Sequence, residues 1–267
     1  MGYIFSGNGS LTKRVVITQD NAQTVLGGVI DSTTQYFIDG TVDMGSTSIE
    51  VPSGGIFIAG LNLDLSFLTS SEDNYTMFTS PAGGSGNVFM QDLTLTASGT
   101  NSKIYDINDA TGFNAVELTR VNYNSCTALG EIDGYRQGLE TGTGRFGGSP
   151  SLTLSGTWIG GFRITTSIVR SMDDTTAQPL FKAGTGFTMV SRFLTDINCD
   201  LGTLQPFADF SSSNFSNPST LQVRGAVFTR DGVSDSTDSN IFPNIDETDI
   251  ASDWSGNIGL TNTFEGG

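Results

Sequence analysis

The sequence predicts an all-β chain wound as a parallel β-helix. Three observations predict it: the composition, a recurring inward-facing pattern, and extra short strands that complete each turn. The chain has 267 residues, 34 of them glycine, no histidine and 15% charged side chains. Gly, Thr, Ser, Asn and Phe are abundant while helix formers are scarce, which suits strands and turns rather than helical bundles.

The pattern is two inward residues spaced by two, a two-residue gap, then two more inward residues. It runs through Ile56, Ile58, Leu61 and Leu63, then Val88, Met90, Leu93 and Leu95, then Val116, Leu118, Val121 and Tyr123. Weaker copies follow at Leu152, Leu154, Thr157 and Ile159, at Thr188, Val190, Phe193 and Thr195, and at Leu221, Val223, Ala226 and Phe228. Their starts advance by 32, 28, 36, 36 and 33 residues. Period two marks a strand with one buried face, and the gap is a corner that keeps that face inward. Gap residues such as Ala59-Gly60, Gln91-Asp92 and Thr119-Arg120 are small or polar, as a solvated corner requires.

A further strand precedes several copies, at Met77-Phe78, Ile104-Tyr105, Leu180-Phe181 and Pro206-Phe207, each followed by a Gly- or Ser-rich corner. Each coil then has three strands and three corners and adds about 4.8 Å of height. A β-sandwich with fortuitous spacing is the alternative. Ahead of the first full coil (Tyr36, Ile38, Val42, Ile49, Val51), the segment VVITQDNAQTVLGG reads as a short capping helix. Its N-cap is expected at Asp20, with Gln23 three residues on and Gly27-Gly28 as the stop. The expected organisation is 1–35 as N-terminal segment and cap, 36–230 as β-helix, and 231–267 as an acidic extension or linker.

Charge and composition exclude several functions. Twelve basic against 28 acidic residues give a net charge of −16, which opposes binding to phosphate backbones. Without histidine there is no Ser-His-Asp or Cys-His nucleophile and no His-ligated zinc. No apolar run is long enough to span a membrane, and the N-terminus carries no secretory pattern and poorly fits a lipidation signal. Cys126 and Cys199, two coils apart, are expected about 9.6 Å apart in height and therefore as two free thiols.

The segment YFIDGTVDMGSTSIEVPSGGIFIAG resembles the opening coil of right-handed parallel β-helices of the pectin-lyase-like superfamily, as found in phage tailspikes and tail fibres. The tail DWSGNIGLTNTFEGG is similar to segments that close such coils in phage virion proteins. The resemblance implies a right-handed, single-stranded β-helix, three-fold association along the flanks and a place in a virion. No catalytic signature of the enzymatic members can be placed.

Candidate sites are correspondingly few. Glu131 and Asp133 share one face of a strand, as do Asp196 and Asn198, while Asp173-Asp174 would point to opposite faces. Paired carboxyls are the machinery of glycoside hydrolysis, although an acidic surface also brings carboxylates together by chance. Arg120 and Arg192 read as corresponding corner residues carrying surface charge. The acidic stretch 231–253 matches no calcium-loop spacing and reads as a solvated linker. Outward positions Asn62, Thr94, Asn122, Trp158, Leu194 and Val227 are expected to form one column, polar early and apolar late. Trp158, Leu194 and Val227, with Phe57 and Phe89 on the first strand, are therefore the candidate interface, to be covered by a second subunit, a loop or a sugar.

The expected function is that of a non-enzymatic structural or host-attachment component of a bacteriophage virion: a tail fibre, tailspike or baseplate protein. Its expected partners are copies of itself in a trimer, other virion proteins and host surface polysaccharide, with no nucleic acid, membrane insertion, metal or cofactor. A polysaccharide depolymerase on the same scaffold is the competing class. A bacterial adhesin is disfavoured by the lack of an export signal.

Overall fold

Alternating apolar residues pair coil upon coil, so that the chain becomes a parallel β-solenoid of about six turns. The computed structural model describes residues 11–142, 145–148, 150–170, 178–190, 192–201, 206–211, 214, 220–224, 227–230, 233–234 and 259–261. Side chains are described up to residue 165 and again in 178–190, 206–211 and 214. One long sheet follows the path Lys13–Ile17, Thr34–Ile38, Ile56–Gly60, Val88–Ala97, Ala115–Cys126, Gln137–Thr141, Gly161–Arg170, Arg192–Leu201, Thr220–Arg224 and Gly259–Thr261. A second sheet stacks Ile49–Glu50, Thr76–Thr79, Lys103–Asn108, Gly130–Asp133, Leu152–Ser155, Phe181–Ala183 and Ala208–Asp209. Thr157–Trp158 and Thr188–Met189 form a short third ladder. Among the described ladders only Val227–Arg230 with Val233–Ser234 is antiparallel.

The corner within the long sheet explains why the pattern is readable in VFMQDLTL and VELTRVNY. Each strand continues through a single left-handed residue, Asp92 (φ 59°) or Arg120 (φ 52°), which turns the chain and restores the inward face one residue later. Val88, Met90, Leu93 and Leu95 are buried, as are Val116, Leu118, Val121 and Tyr123. Arg120 grips Asp92 one coil below through Nε and Nη2, at 2.6 and 2.7 Å. The pair is exposed on the arginine side, and exposed pairs contribute about 0.2–1 kcal/mol. Arg120→Ala is expected to lose that much in a denaturation midpoint. Arg120→Gly should come out near neutral, because glycine relieves the left-handed backbone while losing the same pair.

Other inward assignments change. Ile56 and Ile58 are buried, but Leu61 is 63% exposed and Leu63 half-buried. After Gly60 the chain makes a turn on Asn62, whose carbonyl accepts from the Leu65 and Ser66 amides. The second strand is therefore Ser66–Ser70, and Leu68 takes the inward place between Val42 and Leu95. Leu152 and Leu154 are buried, but in the second sheet, beside Gly130 and Ile132. Their chain bends at Gly156 (φ 66°) into the third ladder, which turns Trp158 inward and leaves Ile159 exposed. One coil on, Met189 is inward and Val190 exposed. Phe193, Leu221 and Val223 pair within the long sheet, Phe193 with Leu221, and Phe228 pairs with Cys199. The side chains of these four lie outside the described residues.

The capping helix is Ala22–Leu26, with Ala22 and Leu26 buried at the end of the core. Its N-cap is Asn21, not Asp20; the Asn21 carboxamide is occupied by the Thr18 amide and the Val16 carbonyl. The helix ends at Gly27, as the glycine pair suggests. Before it, Lys13–Ile17 already pairs with Thr34–Ile38. Among the described residues no helix is long and apolar enough to cross a membrane.

Aromatic rings bind the coils together. Phe78, Tyr105, Tyr123, Phe146, Phe181 and Phe207 form an unbroken chain with centroid separations of 5.8, 6.3, 5.0, 6.4 and 5.5 Å. Five of the rings belong to five different strands and Phe207 immediately precedes the strand Ala208–Asp209, and such pairs add about 0.5–1.5 kcal/mol each beyond their buried area.

Candidate functional site

The outward face of the second sheet carries the most concentrated polar chemistry. Strand Gly130–Asp133 turns Ile132 into the core, so Glu131 and Asp133 face solvent on the same side. Register aligns Glu131 with Asp106 on one side and Thr153 on the other, and Asp133 with Asn108 and Ser155. The Ser155 hydroxyl donates to Glu131 Oε1, a diagonal contact between coils. Burial raises the Asp133 carboxyl above its ordinary range, and the Glu131 charge adds to it. Asp106 is held by Lys103 at 2.6 Å.

Two residues apart on a strand puts the Glu131 and Asp133 backbones about 6.6 Å apart. Inverting glycosidases use carboxyl pairs about 6.5–9.5 Å apart, and two carboxylates on one strand face are candidates for such a pair. One carboxyl that holds its proton to higher pH beside one anchored by a hydroxyl is the arrangement acid–base chemistry needs. Among the described residues, no group of three or more Cys, Asp or Glu side chains could hold a metal ion.

The other sequence-selected residues separate. Trp158 is fully buried, with its indole N–H donating to the Ser155 carbonyl at 2.9 Å and its ring against Tyr135 and Phe162. It is a core residue and leaves the interface set. The expected column of Trp158, Leu194 and Val227 does not form, because Trp158 pairs with Met189, Leu194 with Arg163 and Val227 with Asn198. The coils are unequal in length, so equal spacing in sequence lands on different sides of the solenoid. Phe57 and Phe89 do stack, on the outward face of the long sheet, in a register column that continues through Glu117, Leu139, Arg163 and Leu194. Phe57 is only 6% exposed and Phe89 half-buried. Arg192 opens a strand and does not correspond to Arg120 at its bend. The Asp173-Asp174 pair and most of the acidic stretch 231–253 lie outside the described residues, as do the side chains of Asp196, Asn198, Leu194 and Val227.

Compared with family models, curated proteins and solved structures, the chain matches none.

One chemically distinctive residue was missed by the sequence reading. In Gln137–Thr141, Leu139 is the aliphatic residue that alternation would turn inward, yet register places Gly138 and Glu140 there. Glu140 stands between Leu118 and Ile164 at 2% exposure, and its Oε1 has no hydrogen-bond partner. Only the ladder pairing reveals it. Cys126 is buried and free; burial pushes its thiol up to about 12, so it is inert.

Proposed function

We propose that the chain is a structural and host-attachment component of a bacteriophage virion: a tail fibre, tailspike or baseplate element that acts as a stiff spacer. The observation that carries this reading is the continuous interior, from Ile17 beneath the capping helix to Phe210. Parallel ladders between coils and a close-packed aromatic file resist bending and shear, and hold the corner loops at fixed heights. The resemblance of the opening coil to tailspike β-helices supports the virion setting. The half-buried Phe89 and Leu139 on the long sheet are the flank where copies would associate as a trimer.

The test is particle proteomics combined with adsorption. The chain should be present in purified particles at a fixed copy number, the isolated protein should sediment as a trimer, and it should compete with particles for host cells. Absence from particles, or a monomer that leaves adsorption untouched, would overturn the reading.

The Glu131–Ser155–Asp133 arrangement favours a second reading, a polysaccharide depolymerase. Release of reducing ends from host capsule by the isolated chain, falling about 100-fold or more in Glu131→Gln or Asp133→Asn, would establish it. No release is the outcome expected of a purely structural protein.

A further inference from the structure

We propose that Glu140 makes the middle of the solenoid a pH-responsive joint: the coil containing Gln137–Thr141 closes around a neutral carboxyl and loosens when that carboxyl ionises. The geometry is unusual for a β-solenoid interior. Glu140 occupies a column in which Tyr36, Ile58, Met90 and Leu118 precede it and Ile164 follows it. Gly138, the other inward residue of its strand, cedes its space to the Phe162 ring. The carboxyl is therefore surrounded by apolar and aromatic groups, with Oε1 unpartnered. An ionised carboxylate without partners in such surroundings is strongly disfavoured.

Among the described residues no cation sits in the interior to neutralise it. The titratable groups facing Glu140 are Tyr105 of Lys103–Asn108 and Tyr123 of Ala115–Cys126, with the Cys126 thiol close to the two tyrosines. Burial raises all three, so they stay neutral across the physiological range. From Gly161–Arg170 the inward neighbours are Phe162 and Ile164, and from Gly130–Asp133 it is Ile132; none carries a charge. The charged residues on these strands whose side chains are described, Lys103, Asp106, Glu117, Arg163, Glu131 and Asp133, stand at outward positions, and Arg120 lies at the exposed bend.

Burial lifts the Glu140 carboxyl from an ordinary 4.5 to about 8. The folded chain therefore keeps a proton that the unfolded chain releases. Its contribution is whole below about 4.5 and declines as pH rises through 8, and the opening constant grows about tenfold per pH unit in between. The hydroxyls of Tyr105 and Tyr123 hydrogen-bond each other at 3.0 Å within the same interior.

The experiment is hydrogen exchange read by mass spectrometry on the full chain, at pH 6 and pH 8, each corrected for intrinsic chemical exchange. In the wild type the opening constant of Gln137–Thr141 and its two neighbours in the long sheet should rise about 50-fold, while the coils around Ile56 change far less. In Glu140→Gln the rise should vanish. An equal rise in Glu140→Gln overturns the proposal. Infrared spectroscopy of the wild type decides the matter independently of whether the variant folds. A protonated-carboxyl band present at pH 7 and lost above pH 8 supports the proposal, and its absence at pH 7 refutes it.

Discussion

Replacing Trp158 with alanine is expected to destabilise the solenoid by about 3–5 kcal/mol, the range for deleting a large aromatic from a packed core. The indole is fully buried, packs 6.3 Å from Tyr135 and 5.7 Å from Phe162 by ring centroid, and closes the third side of its coil beside Met189. Phe162 is held in its coil by the long sheet's ladder and Tyr135 by its hydroxyl's bond to the Gly86 carbonyl, so neither ring can collapse into the space. Trp158→Phe separates packing from hydrogen bonding. The Ser155 carbonyl that accepts from the indole also accepts from the Gly134 amide at 3.0 Å, so it keeps one partner. That variant should lose only about 1 kcal/mol for the bond, plus the smaller ring's lost contacts. Denaturant midpoints of the isolated chain measure both. Because a solenoid's coils interact only with their neighbours, the loss should be sharpest in probes near residues 130–165. If Trp158→Ala kept its midpoint but dissociated an oligomer, the residue would be an outward interface anchor, contrary to its burial.

The misplacement of Trp158 shows what sequence periodicity can and cannot deliver here. Strands Val88–Ala97 and Ala115–Cys126 were readable because one left-handed residue joins two strands of unchanged phase. Beyond Tyr123 the coils shorten: Val116 pairs directly with Gly138, and Gly138 with Phe162. A reader who assumes a period near 33 passes over this strand and assigns Leu152 to the long sheet, when it belongs to the second. The copies that start at Leu152 and Thr188 are thereby displaced by one side of the solenoid, which exposes Ile159 and Val190 and buries Trp158, while Leu221 and Val223 are back in the long sheet. Leu61 fails for a different reason, an inserted turn on Asn62 that alternation cannot see. Glu140 was invisible because the aliphatic neighbour Leu139 satisfies the same pattern one residue out of phase. Four rings of the aromatic file, Phe78, Tyr105, Phe181 and Phe207, lie in the further strand legible in the sequence, but the contacts through Tyr123 and Phe146 that join them arise only after the chain has wound. Glu131 and Asp133 were legible as a pair because period two alone puts them on one face. Their bond from Ser155 required the neighbouring coil.

Gly130→Ala is the second substitution expected to be severe, at about 3 kcal/mol or more, and it tests the winding itself. Gly130 sits at φ +92° in the middle of the second sheet, where its neighbour in register is Tyr105. A β-carbon there would overlap the Tyr105 carbonyl oxygen, and backbone, unlike a side-chain tip, has nowhere to swing. Relief requires the strand Lys103–Asn108 to move, yet that strand holds the Tyr105 ring between Phe78 and Tyr123. The left-handed backbone adds about 1–2 kcal/mol for any residue with a side chain. Gly112 supplies the control. Its φ of +68° imposes the same conformational cost, but its nearest neighbour, the Gly134 carbonyl oxygen, is 3.8 Å from where a β-carbon would lie. Gly112→Ala should therefore lose only the conformational part. Thermal midpoints and soluble yield of the two variants, measured side by side, separate clash from backbone strain. Equal losses would mean that the two coils do not approach each other as closely at Gly130 as the register requires, and the tight winding between Tyr105 and Leu152 would have to be redrawn.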